Sequence, residues 1–322
     1  MTVMSDEPGF DELIERYRTE LFAHCYRMLG SVHDAEDVVQ EAYLRAWRAR
    51  EQYDASRSSV RTWMYRIATN VCLNALSSGI RRPLPSGCVA ASDPLQPLLP
   101  GTEVPWLQPL PDALLDVGDP ARSVVDRDSL RLAFLAALQH LSARQRAVLV
   151  LRDVLSFSAA ETAEILGATM ISVNSSLRRA RASLDASGAS PDTLQEPPQA
   201  EQRIWMERYM RAFVAADIEG LKQLLAEDVL MEMPPMLNWF VGRHNYGVFM
   251  EWVFDAAGTD WRLEPVGANG QPGFAAYRRM GATYKLHTVQ LFTVAPDGIS
   301  RNSVFQDADV FTLFRLPVEL EP

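Results

Sequence analysis

Trp63, Arg66, Asn70 and Asn74 share one stripe of the stretch Arg61 to Leu76, RTWMYRIATNVCLNAL, when it is wound as an α-helix. Their types suit a single nucleic-acid strand. An indole stacks on a base, the guanidinium of Arg66 holds phosphate, and primary amides pair with base edges. Met64, Ile67, Ala68, Val71 and Ala75 fall on another stripe, which is apolar and must pack. An ordinary amphipathic helix with a solvated side gives the same pattern, so the neighbouring segments decide.

Upstream, DAEDVVQE concentrates Asp34, Glu36, Asp37 and Glu41 with Val38 and Gln40 in one helical stretch. Ser31 with Asp34 matches a capping box, and acids in the first turns suit the helix dipole. Helix chemistry accounts for some of that charge but not for its density. Downstream, FSAAETAEILGATMISVNSSLRRARASL, residues 157 to 184, reads as helix, turn, helix. Ser158 with Glu161 caps a short helix, Gly167 supplies the turn, and Thr169 caps a second helix whose Ile171, Val173, Leu177 and Leu184 pack back. Ser172, Asn174, Ser175 and Ser176 then stand at the leading end, suited to a major groove, with Arg178, Arg179 and Arg181 placed to reach phosphates. A plain helical hairpin with a basic face is the bland alternative.

The elements that position these groups follow from periodicity. Residues 10 to 29 predict a helix ending at Gly30. Residues 124 to 141 predict another, and Ser142 with Gln145 opens an apolar helix over 144 to 155. Between the helical blocks, residues 83 to 120 are rich in proline, which removes backbone donors and favours extended geometry. This connector carries Leu98, Leu99, Trp106, Leu107 and Leu110, and so is expected to pack along a surface. Residues 187 to 200 read as a linker. Beyond it, helices at 201 to 216 and 218 to 225 precede strands at 229 to 233, 275 to 279, 288 to 294 and 299 to 305, a helix-plus-curved-sheet domain.

At 322 residues the chain is too long for one core. No run of about 18 apolar residues exists, so no membrane span is expected, and the acidic start MTVMSDEPGF lacks a secretion signal, which places the chain in the cytoplasm. Cys25, Cys72 and Cys88 have no metal-ligand spacing; free thiols, no metal and no cofactor are expected. The net charge of −10 argues against coating nucleic acid with the whole molecule while leaving room for local basic faces.

Together these residues resemble an RNA polymerase sigma factor of the small extracytoplasmic-function (group 4, sigma-70) type. Residues 34 to 47 and 61 to 76 look like its region 2, and residues 141 to 184 like its region 4, in the family's order. The tail resembles the SnoaL-like branch of the cone fold through RYMRAFVAADIEGLKQLLAEDVLMEMPP, NWFVGR and NGQPGFAAYRR. The resemblance implies a multidomain protein: all-α region 2 over residues 8–80, a linker over 81–121, a helix-turn-helix region 4 over 122–187, a linker over 188–200 and an α+β SnoaL-like domain over 201–322.

It further implies a protein with no catalytic residues that directs core polymerase to promoter DNA. Asp34, Glu36, Asp37, Val38, Gln40 and Glu41 would grip the clamp helices of the largest subunit. Arg61, Trp63, Arg66, Asn70 and Asn74 would read and hold the melted −10 element. Region 4 would enter the −35 major groove through residues 170 to 181 and rest on the flap of the second-largest subunit. Asn174 and Ser176 depart from the Lys and Arg common in the family, which weakens the phosphate contribution. The tail would control the sigma regions in cis, with an apolar pocket near Met231, Met233, Trp239 and Phe240 open to a small-molecule ligand. Two other classes stay open on the residues alone. One is a ligand-sensing helix-turn-helix regulator; the other is a cone-fold enzyme using Asp217, Glu232, His244, His287 or Asp307 as acid and base.

Overall fold

The computed structural model describes residues 10–115, 128–187 and 196–322, which cluster into two compact units. One holds residues 10–81 with 128–187; the other holds 82–115 with 196–322.

The first unit is helical: α1 (Phe10–Glu15), α2 (Arg18–Leu29), α3 (Val32–Arg48), α4 (Val60–Ala75), α5 (Leu132–Gln139), α6 (Ala143–Leu149), α7 (Ala159–Leu166) and α8 (Met170–Ser187). The single helix expected over 10 to 29 is broken. Arg16 Nε takes the Leu13 carbonyl at 3.0 Å, and Tyr17 N–H turns to Ile14 instead. Gly30, at φ +70°, ends α2 with its N–H on the Tyr26 carbonyl, and Ser31 Oγ accepts the Asp34 N–H to open α3. Both bonds of a capping box are present at Ser142/Gln145 and at Ser158/Glu161. Of the helix expected over 124 to 141, residues 124 to 127 lie outside the described residues.

The helix expected over 144 to 155 also changes character. After α6 the chain widens into a π-turn, Val150–Val154, with Leu155 N–H reaching the Val150 carbonyl and Phe157 N–H the Leu151 carbonyl. That extra residue per turn sets Phe157 inward, where it is buried.

The second unit wraps α9 (Gln199–Val214), α10 (Ile218–Gln223), α11 (Arg243–Ala257) and α12 (Ala308–Leu313) about one seven-stranded sheet. The strands are β1 (Leu225–Glu232), β2 (Trp239–Val241), β3 (Trp261–Ala268), β4 (Gln271–Met280), β5 (Thr283–Ala295), β6 (Gly298–Phe305) and β7 (Glu319–Leu320). Their order is β2-β1-β6-β5-β4-β3, with β7 against β5; only β1 and β6 run parallel. Asn269 and Gly270, both at positive φ, make the β3–β4 turn as their types require. Slips of register within β4–β5 and β5–β6 curl the sheet into a cone around Tyr209, Phe213, Phe274 and Phe292.

The connector belongs to this unit. Ser92 N–H donates to the Trp239 carbonyl at 2.8 Å, Gly101 N–H to Pro235, Leu237 N–H back to Leu99, and Asn269 N–H to Leu110. Asn238 and Asn269 side chains accept from Leu99 and Leu110 N–H at 2.6 and 2.8 Å. Leu84, Leu107 and Leu110 are buried. Residues 82–115 therefore form a hydrogen-bonded strap on the cone. Residues 116 to 120 of the connector, and residues 188 to 195 of the expected linker, lie outside the described residues.

Candidate functional site

On α4, Asn70 and Asn74 are exposed one turn apart, and Arg66 is half-buried with no ion pair or hydrogen bond among the described residues. Trp63 does not join them. It is 5% exposed and packs on Tyr53 at 5.1 Å between ring centroids, because the loop before α4 folds back over it. Arg61 is engaged internally. Its Nε donates to Glu20 at 3.1 Å, and its guanidinium lies 4.3 Å from the centre of the Phe157 ring. Tyr65 donates to the same Glu20 carboxylate and meets Phe157 edge-on. Beneath them His24 is wholly buried against the Thr69 hydroxyl at 2.9 Å; burial first, then Arg27 and Arg61, hold its pKa down at about 3.

On α8, Ser172 and Asn174 are exposed at the leading end, and Thr169 Oγ1 accepts the Ser172 N–H as a cap. Ser175 is half-buried. Ser176 is a correction: it lies on the stripe with Val173, Leu177 and Ala180, is 6% exposed, and accepts from Arg179 Nη2 at 3.3 Å. Arg178 and Arg179 are exposed, whereas Arg181 is held by Asp153 through bonds of 2.6 and 2.8 Å, which push its pKa up. Ile171 was expected to pack back but is 81% exposed beside exposed Met170. The inward stripe begins at Val173, two residues later, so Ile171 falls on the outer face and adds an apolar contact suited to a thymine methyl.

On α3, Glu36, Asp37 and Gln40 are exposed; Asp34 and Glu41 are half-buried, and Glu41 pairs with Arg45 at 2.7 Å. Val38 is a correction as well. It lies inward with Ala35, Val39 and Ala42 and anchors the helix. The outer stripe continues instead into Leu44 and Trp47, about half exposed, with Arg50 stacked 4.5 Å from the indole. Large apolar side chains recurring outside the packed stripe were the sequence signal for this extension.

Within this unit the two helical blocks share a core. Arg146, 2% exposed, starts on α6 and donates to the Leu138 carbonyl at 2.9 Å, the Gln139 carbonyl and the Met28 carbonyl. These carbonyls crowd the C-terminal ends of α5 and α2, where orphan acceptors and the negative dipole end favour a cation. Burial, then the Arg81 charge, lowers its pKa to about 10, so it stays charged near neutrality. Arg27 on α2 donates to Ser129 Oγ at 3.0 and 2.8 Å.

The cone encloses a cavity of about 200 Å³, lined by Met231 and Met233 among other apolar groups. Trp239 instead donates to the Val89 carbonyl, and Phe240 is buried against Phe249. Of the acid and base candidates only His287 reaches the cavity, its pKa lowered by burial and then by Arg278. Asp217 and Asp307 cap α10 and α12, and His244 is exposed. Glu232 is buried between Arg301 at 2.6 Å, Ser303 at 3.3 Å and the connector's Ser86 at 2.8 Å. No acid–base pair is assembled from these five.

Two helical blocks with exposed polar faces, followed in the chain by a strapped cone, make a multidomain protein, and comparison with known proteins gives each part its class. Residues 13–82 match sigma-70 region 2, residues 131–184 sigma-70 region 4, and residues 206–302 a SnoaL-like domain. The ECF RNA polymerase sigma factor SigG of Mycobacterium tuberculosis is 46% identical over 314 residues, 97% of this chain and 85% of that protein. SigW of Bacillus subtilis, also an ECF sigma factor, is 32% identical over 56% of this chain and 88% of its own length. The crystal structure of M. tuberculosis SigJ shares the fold with a TM-score of 0.63 at 23% identity, covering 95% of this chain and 98% of that one. The chain belongs to the ECF RNA polymerase sigma factors and carries a C-terminal SnoaL-like domain. Among the described residues no helix is long and apolar enough to cross a membrane, and no group of three or more His, Cys, Asp or Glu is placed to hold a metal.

Proposed function

We propose that the chain recruits bacterial core polymerase in the cytoplasm through α3 and reads promoter DNA through α4 and α8. The domain limits are those expected from sequence, except that the connector works with the tail. The observation that carries this reading is the outer stripe of α3, on which Asp37, Gln40, Leu44 and Trp47 follow one another at helical spacing. Charge beside an exposed aromatic, on a helix already packed on its other side, is the composition of a protein interface. Glu36, Asp37 and Gln40 meet the clamp helices of the largest subunit, with Asp34 and Glu41 at the margin. Asn70 and Asn74 read the −10 strand and Arg66 holds it. Ile171, Ser172 and Asn174 face the −35 groove, with Ser175 at its edge and Arg178 and Arg179 on phosphate. Region 4 rests on the flap of the second-largest subunit.

Arg61 and Arg181 are spoken for, by Glu20 and Asp153. Each carboxylate lies in the same block as its arginine, so each arginine reaches phosphate only by leaving that carboxylate. Elements named −10 and −35 lie about 25 base pairs apart, roughly 80 Å along B-form DNA, whereas Tyr65 of α4 and Phe157 before α7 touch at 4.9 Å. The described packing is therefore a closed state. Cis control by the tail is supported by the strap: residues 82–115 of the segment joining the two blocks are bonded to the cone.

Paired substitutions test the assignment. Asp37→Lys abolishes binding to purified core polymerase while the chain keeps its helical signal. Asn70→Ala leaves core binding intact and lowers open-complex formation. Retained core binding by the first, or unchanged promoter opening by the second, refutes the corresponding role.

A further inference from the structure

The cavity in the cone is apolar through most of its wall, with Phe213, Met250 and Trp261, but polar at one end. Strand pairing builds that end. β4 and β5 run in register at Phe274↔Gln290 and Ala276↔Thr288, then slip so that Tyr277 meets Leu286. His287 is the extra residue of the bulge, and a bulge re-aims a side chain. It lines the cavity beside Thr288, Gln290 and Arg278.

This polar end is braced from behind. Gln290 Nε2 donates to Thr288 Oγ1 at 3.3 Å, while Asn302 Nδ2 donates to Gln290 Oε1 at 3.1 Å and to Tyr246 Oη at 2.7 Å. Tyr246 in turn bonds Tyr209. Such a network inside an aromatic core fixes the orientation of its outermost members.

Arg278 has no counterpart in this arrangement. It is half-buried, makes no hydrogen bond or ion pair among the described residues, and shares the cavity with no carboxylate. A partly desolvated guanidinium at the end of an apolar chamber suits a planar anion, which it can hold by two parallel bonds. Size and wall chemistry narrow the anion further. A cavity of about 150 Å³ takes up benzene, so about 200 Å³ accommodates one ring with a short arm. Aromatic and methionine walls favour a ring over a bare chain.

We propose that this cavity binds a small aromatic carboxylic acid, its carboxylate on Arg278 and its ring among Phe213, Met250 and Trp261. Leu98 of the connector lines the same cavity, so the strap forms part of the site. The site stands on the cone alone and does not depend on how α3, α4 or α8 are used.

Isothermal titration of the full chain with phenylacetate, phenylacetamide and acetate tests the proposal. Phenylacetate binds roughly tenfold or more tightly than the isosteric amide, as expected for a charge-assisted bond, and acetate gives no measurable heat. Arg278→Gln lowers phenylacetate to the level of the amide, and Leu98→Ala weakens both ring-bearing probes severalfold. Equal binding of acid and amide by the unsubstituted chain overturns the carboxylate site without reference to any variant. An acid preference that survives Arg278→Gln overturns the role of that residue, and unchanged binding in Leu98→Ala that of the strap. No phenylacetate binding at millimolar concentration overturns the cavity as a ligand site.

Discussion

His24 has no access to water and one neutral partner, Thr69. Its folded pKa of about 3 lies below the ordinary value of 6.5, so the unfolded chain binds the proton more readily. Acid therefore favours unfolding: the neutral imidazole's contribution is fully present above about pH 6.5 and is lost as pH falls toward 3. Between pH 7.5 and 5 this residue alone removes about 2 kcal/mol of stability. Denaturant melts of the native chain and of His24→Gln check it, since the substitution flattens the pH slope by that amount. Parallel slopes would show that His24 takes up its proton in the folded state. Trp63, Ser176 and Ile171 mark where residue type misleads. Two stripes on a helix can both look polar or both apolar, and what covers them, the loop at Tyr53 for Trp63, is set by segments that periodicity does not see.

The joint between α2, α5 and α6 depends on one buried guanidinium. Removing it leaves a set of helix-end carbonyls desolvated and unpaired, so Arg146→Ala costs about 3 kcal/mol. Arg146→Met costs less, because the stem's packing survives. Chemical denaturation measures both; a loss within about 0.5 kcal/mol, as for a surface site, contradicts the joint. Element starts and ends were legible because caps are local. Ser31, Ser142 and Ser158 announce α3, α6 and α7 by themselves, and Gly30 and Gly167 end α2 and α7. The π-turn that sets Phe157 inward was not, since one extra residue in a turn leaves the apolar pattern unchanged. Nor were β3 or the bulge at His287, which depend on pairing across the sheet. The strap's bonds join residues far apart in sequence, Ser86 to Glu232 and Leu110 to Asn269, so the apolar residues of the connector forecast contact with a surface without naming that surface.

At the scale of the molecule, the surfaces proposed to read the promoter are half used. The free groups, Arg66, Asn70, Asn74, Ile171, Ser172 and Asn174, face outward, while Arg61 and Phe157 hold the two blocks together and Arg181 is tied to Asp153 within its own block. The account predicts separation before initiation, and a reversible lock tests that most directly. With Cys88, the exposed native thiol, replaced by Ser, a cysteine pair introduced between α4 and α7 is oxidised or reduced before the chain is mixed with core polymerase and promoter DNA. The reduced chain is predicted to support promoter-dependent transcription and the oxidised chain is not, with activity returning on reduction. Equal transcription from both forms would contradict the claim that the two readers work apart.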